Sequence, residues 1–231
     1  HVFAIKCNFG NNHHRTRPNT DTNAHSPSGH FLIHYDETGI HAPPDLGDDG
    51  VGGSPSWDLD EIVFGTANNG IPDFVDEVGT AADAIRDLLI NMGYDPEISD
   101  GNEYDIYIQD YGDHDYGENF GYCNTSNNHD PLNGSSYFIM DNEFECDEYY
   151  TCEPGTIQLT VAHEFFHAIQ RGYENICSGS DPDLWFYEMS STWIEDILVP
   201  DTNDYLHFLD NFIESPTMNI SSTNGYSIAL F

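Results

Sequence analysis

Apolar residues recur at two different spacings along the chain, and the two spacings predict strands and helices. Apolar and polar side chains alternate in residues 30–36 and 104–109, which is typical of half-buried strands. The apolar run at 136–141 predicts a third strand. Between Pro72 and Gly93 the apolar residues follow helical spacing, which predicts a helix that packs on a sheet.

The second half of the chain predicts further helices. Residues 157–171 form an apolar helical segment that we expect to end at Gly172. Asp181 precedes a proline and opens a second helix, which continues to about Val199, where another proline stops it. A shorter helix is predicted at residues 204–214.

Two polar stretches contain no predicted strand or helix. Residues 1–29 are rich in Asn, Thr and His, and residues 110–134 are rich in Gly, Asp and Asn. His13 and His14 lie in the first stretch, and we interpret them as solvated loop histidines. Residues 1–29 are therefore predicted to be irregular, and no strand or helix is predicted within 110–134.

The composition narrows the classes of partner. The chain has 231 residues, enough for one large domain or two tightly packed lobes. It carries 41 acidic and 5 basic residues, for a formal net charge of −36, which argues against binding to nucleic acids or anionic membranes. Two explanations of the acidic residues compete: loops that bind calcium, and a solvated acidic surface. We assign most of the acidic residues to the solvated surface. No apolar run has the length of a membrane span.

Five cysteines bear on the cellular compartment: Cys7, Cys123, Cys146, Cys152 and Cys177. None forms a closely spaced zinc-binding pair, and Cys146 and Cys152 are near enough in sequence to close a small loop. Disulfides would indicate an oxidising compartment, so we expect a secreted protein. Because five is odd, one thiol is free or has its partner elsewhere.

A metal-site pattern lies in the fifth predicted element, the helix at residues 157–171. Residues 163–167 read His-Glu-Phe-Phe-His, and positions i and i+4 lie on one face of a helix. His163 and His167 can therefore bind one zinc ion, with Glu164 beside them as the general base. The alternative is a core helix that carries two hydrogen-bonded histidines by chance.

A third ligand is expected on the following helix. The downstream carboxylates are Glu174, Asp181, Asp183, Glu188 and Glu195. Glu188 lies among apolar neighbours, where a carboxylate usually needs a counter-charge, and zinc would supply it. The alternative for Glu188 is an exposed helical glutamate.

These residues resemble the gluzincin clan, the thermolysin-like and aminopeptidase-like zinc enzymes. There a His-Glu-x-x-His helix is followed about twenty residues later by a ligand glutamate on an antiparallel helix. The resemblance implies that Glu188 is the third zinc ligand and that Glu195 supports the site. A Tyr or His commonly stabilises the oxyanion in the clan, and Tyr226 and His207 are the candidates, with packed aromatic side chains as the alternative.

The chain is more closely similar to a family of secreted bacterial proteins thought to be metallopeptidases. The segments that carry this similarity are residues 30–35, 69–78, 104–107 and 162–170. The resemblance implies an α+β zincin-like fold with a mixed sheet, an active-site helix and the antiparallel third-ligand helix. It also implies a cleft whose edge strand pairs with extended peptide, and 136–141 is the candidate strand.

We accordingly divide the chain into three parts. Residues 1–29 are the irregular N-terminal segment, and 30–200 are the zincin-like catalytic core. Residues 201–231 begin a C-terminal helical lobe that we expect to continue beyond the printed sequence.

A degraded calcium loop is predicted before the first helix. Asn69, Asp73 and Asp76 fit later ligand positions, but an Asn-Gly turn that leads into a helix explains the same residues. Asp110, Asp113 and Asp115 form a second, less supported calcium candidate.

The leading hypothesis is a secreted, monomeric zinc endopeptidase that acts on protein or peptide in extended conformation. The alternatives are a catalytically inactive calcium- or zinc-binding, adhesin-like module on the same fold, and a zinc hydrolase of a non-peptide amide or ester. The intact Glu164 favours an enzyme, because metal binding alone does not need it.

Overall fold

A computed structural model describes residues 17–44, 70–111, 117–122, 130–144, 155–173, 183–203, 205–206 and 217. Within these residues it contains five strands and three helices. The strands are β1 (Thr22–His25), β2 (Phe31–Tyr35), β3 (Tyr104–Ile108), β4 (Gly117–Gly121) and β5 (Ser136–Met140). The helices are α1 (Asp73–Met92), α2 (Gly155–Tyr173) and α3 (Leu184–Leu198).

The strands form one mixed sheet in the order β1-β2-β3-β5-β4. The three central strands are parallel to one another, and the two outer strands run antiparallel to their neighbours. Because parallel neighbours need a crossover, α1 connects β2 to β3 across one face of the sheet. The predicted α+β class is therefore confirmed.

The main core lies between the sheet and the first two helices. Alternate residues of β2, β3 and β5 point to this face and are fully buried, Ile33, Ile106 and Phe138 among them. They meet the apolar faces of α1 and α2, including Val78 and Phe165. α3 packs on α2 and contributes Ile194 to the same core. Burial of this continuous apolar surface fixes α2 on the sheet and α3 on α2.

The opposite face of the sheet carries a polar and aromatic cluster. Asp105 accepts a hydrogen bond from His34 at 2.7 Å and a second one from the Arg17 guanidinium. The His34 ring stacks on Tyr107 at 4.3 Å, and Arg17 lies 4.8 Å above the Tyr137 ring. This cluster joins residue 17 to the central strands.

Three predictions about the strands are wrong. Residues 22–25 pair with β2, although the segment 1–29 was predicted to be irregular. Residues 117–121 form β4 inside the Gly-, Asp- and Asn-rich stretch 110–134, for which no strand was predicted. The segment 136–141 is not the edge strand, because β5 pairs on both sides, and β4 is the outer strand there. Short polar strands depend on partners that their own sequence does not reveal.

The helices agree with the sequence within about two residues. Gly93 ends α1 in the left-handed conformation with φ of 100°, a position where glycine is favoured. α2 extends two residues beyond the predicted segment at each end, so Gly172 lies inside it. Most of the predicted helix at 204–214 lies outside the described residues. None of the helices in the described part of the chain combines the length and hydropathy needed to span a bilayer.

Candidate metal centre

Two imidazoles of α2 face one point. His163 and His167 are one turn apart, both are about 1% exposed, and their ring centroids lie 4.8 Å apart. A helix places residues i and i+4 on one face, so the local fold alone determines this pairing. Burial of the surrounding helix against the sheet then removes both rings from solvent.

Glu188 of α3 completes the group. Its Oε2 atom lies 3.3 Å from His163 Nε2 and 3.6 Å from His167 Nε2, and the side chain is about 1% exposed. His163 of α2 contacts Glu195 and Glu188 of α3, and Gln170, later in α2, contacts the Tyr187 carbonyl, earlier in α3. The two helices are therefore antiparallel. The predicted convergence of the two histidines and Glu188 is confirmed, and the group could hold a metal ion.

The outer ring nitrogens have distinct partners. Glu195 contacts His163 Nδ1, and Gln170 Oε1 lies 2.8 Å from His167 Nδ1. An ionised carboxylate or an amide oxygen can only accept, so each Nδ1 acts as a donor. In the neutral rings this leaves the lone pair on Nε2, which faces Glu188.

When both rings are neutral, three acceptor atoms converge: the two Nε2 atoms and Glu188 Oε2. Such an arrangement is repulsive unless a cation lies among them. Ligands about 2.0–2.1 Å from a tetrahedral ion lie about 3.3–3.4 Å apart, close to the two distances from Glu188 Oε2 to the histidine nitrogens, and all three atoms lie within 4.8 Å of one another. The donor set of two imidazoles and one carboxylate thus fits zinc.

Polar atoms without partners support this interpretation. Within the described residues, no hydrogen bond reaches His167 Nε2, Glu188 Oε1 or either carboxylate oxygen of Glu164. Buried polar atoms are nearly always hydrogen-bonded, so four such atoms in one place indicate ligands that the protein atoms do not supply. A metal ion and a water molecule would satisfy them.

The electrostatics of the group are strongly coupled. Burial raises the pKa of Glu164 to about 8. The charge of His163 opposes this rise, and the charges of Glu188 and other carboxylates add to it. Burial acts in the same direction on Glu188, but the two histidines outweigh it and lower its pKa to about 2. Burial would lower the pKa of His163, yet Glu195 and Glu188 raise it to about 10. A positive charge, on a protonated His163 or on a bound cation, is therefore favoured between these carboxylates.

The backbone of Glu164 is held by the outer strand. Asn119 of β4 donates a hydrogen bond to the Glu164 carbonyl at 2.9 Å, and the buried Arg171 donates to Asn119 Oδ1 at 2.8 Å. At Gly117 an added Cβ would lie 3.5 Å from Glu164 Cγ. β4 therefore passes directly beside the proposed base.

Of the predicted calcium ligands, the structure describes Asp73, Asp76 and Asp110. Asp73 and Asp76 lie in the first turn of α1, but within the described residues only the histidine–glutamate group has metal-ligand geometry. Asp110 is described as well and belongs to no such group. The other candidates lie outside the described residues: His13, His14, Asn69, Asp113, Asp115, His207, Tyr226 and the five cysteines.

Sequence reasoning did not identify Gln170, Ser191 or Asn119 as parts of the site. Gln170 follows His167 by three residues, a spacing at which helical side chains meet, so its contact had a local signal. Ser191 Oγ lies 3.2 Å from His167 Nδ1, and Asn119 arrives from a strand 45 residues away in sequence. These two had no local signal.

Comparison with models of known protein families, with curated proteins and with solved structures finds no match to this chain.

Proposed function

We propose that the protein is a zinc-dependent endopeptidase of the gluzincin type. The observation that carries the proposal is the convergence of His163 Nε2, His167 Nε2 and Glu188 Oε2 beside the unpartnered carboxylate of Glu164. A structural ion pair of protonated His163 with Glu188 would leave His167 Nε2 without a hydrogen-bond partner. Such a pair would also not need a second buried carboxylate next to it.

The three ligand residues would hold zinc, with Glu195 and Gln170 orienting the histidines. Bound zinc supplies Lewis-acid chemistry, which polarises a carbonyl group and makes water more acidic. The Glu164 carboxylate accepts a proton from the water that attacks the scissile carbonyl carbon. It then gives that proton to the amine nitrogen as the C–N bond breaks.

The outer strand supports a peptide as substrate. β4 is the last strand of the described sheet and passes beside Glu164. An extended chain that adds to this sheet next to β4 would carry its peptide bonds past the base. Three further expectations, namely secretion, calcium binding and a monomeric state, stay predictions.

The test compares the wild type with Glu164→Gln, which removes the base and keeps the shape of the side chain. Zinc content and cleavage of casein or gelatin are measured for both proteins. We expect the variant to retain zinc and to lose about 10²–10⁴-fold in activity. Asp87→Asn, the same chemical change at an exposed site on α1, serves as the matched control and should alter neither quantity.

Two results would count against the proposal. A Glu164→Gln variant that binds zinc and keeps full activity would remove Glu164 from its role. A wild type that binds zinc and cleaves neither substrate would favour the binding module, or a hydrolase of non-peptide amides or esters.

A further inference from the structure

We infer that Gln170 is a positioning residue that orients two of the three metal ligands, one on each helix. The inference rests on the proposed metal site and not on the choice of substrate. Gln170 lies on α2, three residues after His167, and its side chain is partly buried between α2 and α3. Neither a metal-ligand nor a catalytic role is assigned to it.

The carboxamide of Gln170 contacts both helices at once. Its Oε1 atom lies 2.8 Å from His167 Nδ1. Its Nε2 atom donates to the Tyr187 carbonyl at 3.0 Å and to Ser190 Oγ at 2.9 Å. Tyr187 immediately precedes Glu188 in α3. One side chain therefore touches a ligand of α2 and the backbone beside the ligand of α3.

The hydrogen-bond directions follow from the Tyr187 carbonyl, which can only accept. The amide NH₂ of Gln170 must face that carbonyl, so the amide oxygen must face His167 Nδ1. His167 then carries its proton on Nδ1 and presents the Nε2 lone pair to the metal position. A ligand histidine usually has its tautomer fixed by such an outer partner.

The same geometry explains why a neutral amide serves His167 while a carboxylate serves His163. A glutamate at position 170 could accept from His167, but it could not donate to the Tyr187 carbonyl or hold Ser190 Oγ in the same way. It would also place another negative charge close to Glu188, which directly follows Tyr187. Glutamine satisfies both neighbours at once without adding charge.

The first measurement is the tautomer of His167 in protein stripped of metal, read from long-range ¹H–¹⁵N NMR couplings of the ring. We expect the Nδ1–H form in the wild type and in Gln170→Glu, which keeps an acceptor. Gln170→Met is similar in length but has no acceptor, and it should shift His167 towards a tautomer mixture. Ser191 Oγ, at 3.2 Å, is the remaining partner of His167 Nδ1.

The second measurement is the zinc dissociation constant, obtained by competition with a chromophoric chelator. We expect a rise of about 10–100-fold for Gln170→Met, as is typical when an outer partner is lost. Gln170→Glu should also bind zinc more weakly, because it loses the donor to the Tyr187 carbonyl. Gln158→Met is the matched control, since Gln158 lies on the same helix and donates at 3.1 Å to Glu77, away from the histidines. Its zinc affinity should stay unchanged.

A folded Gln170→Met with wild-type zinc affinity and an unchanged His167 tautomer would overturn the inference. Circular dichroism of each protein identifies a variant that has failed to fold. If Gln170→Met does not fold, the His167 tautomer in Gln170→Glu tests whether an acceptor at position 170 fixes the proton on Nδ1. Neither measurement uses a peptide substrate. A protein that binds zinc through Gln170-oriented ligands but cleaves nothing would refute the peptidase and leave this inference intact.

Discussion

Gly117 begins β4 at a point where a side chain would collide with the neighbouring strand. A Cβ added there would lie 2.7 Å from the Ile139 carbonyl oxygen and 3.3 Å from Met140 Cα. Carbon–oxygen contacts between strands are normally about 3.3–3.6 Å long. Gly117→Ala therefore forces β4 to move by at least about 0.6 Å, on the side where it approaches Glu164.

The size of the effect follows from two opposing terms. Overpacking of this kind costs about 1–3 kcal/mol, while an alanine lowers the entropy of the unfolded chain and regains about 0.4–1 kcal/mol. We expect a net loss of about 1–2 kcal/mol in the free energy of unfolding, measured by urea denaturation. If the protein is a peptidase, the displaced strand should also lower kcat/KM by about 10–100-fold, because small misplacements near reacting groups are costly.

Gly101→Ala is the matched control. Its nearest non-neighbouring atom would lie 3.8 Å away, and its backbone is not in the left-handed region. We expect a change within about 0.5 kcal/mol there. If Gly117→Ala were as stable as Gly101→Ala and fully active, the close approach of β4 to Glu164 would not be needed for stability or activity.

Three further predictions concern charged groups and the proposed metal ion. Burial would raise the pKa of Asp105, but its hydrogen bonds from His34 and Arg17 outweigh burial and lower it. Asp105 therefore stabilises the fold above the unfolded pKa of about 3.9 and loses this effect as the pH falls through the lower folded pKa. Asp105→Asn should cost about 1.5–3 kcal/mol at pH 7 in urea denaturation, and a difference that does not shrink as the pH falls below the unfolded pKa would contradict this. Removal of metal with a chelator should lower the melting temperature, and added zinc should restore it. Glu195→Gln should weaken zinc binding by about 10–100-fold, and unchanged affinity would show that Glu195 does not orient His163.

The sequence determined much of the sheet and all three helices in advance. The central strands and the helices have strong apolar periodicity, and burial against one shared core stabilises the same pattern. β1 and β4 escaped prediction because their sequences, Thr-Asn-Ala-His and Gly-Glu-Asn-Phe-Gly, lack a clear apolar alternation. Backbone pairing of β1 with β2 and of β4 with β5 stabilises these two strands, although their composition does not favour strands.

The same division applies to the site. The sequence by itself determined that His163, Glu164 and His167 share a helix and that the two histidines share its face, because helical spacing is a local property. Only the tertiary structure placed Glu188 at 3.3 Å from His163 Nε2 and brought Asn119 of β4 to the Glu164 carbonyl. The distances between separate elements depend on how whole helices and strands pack together. No local pattern along the chain encodes that packing.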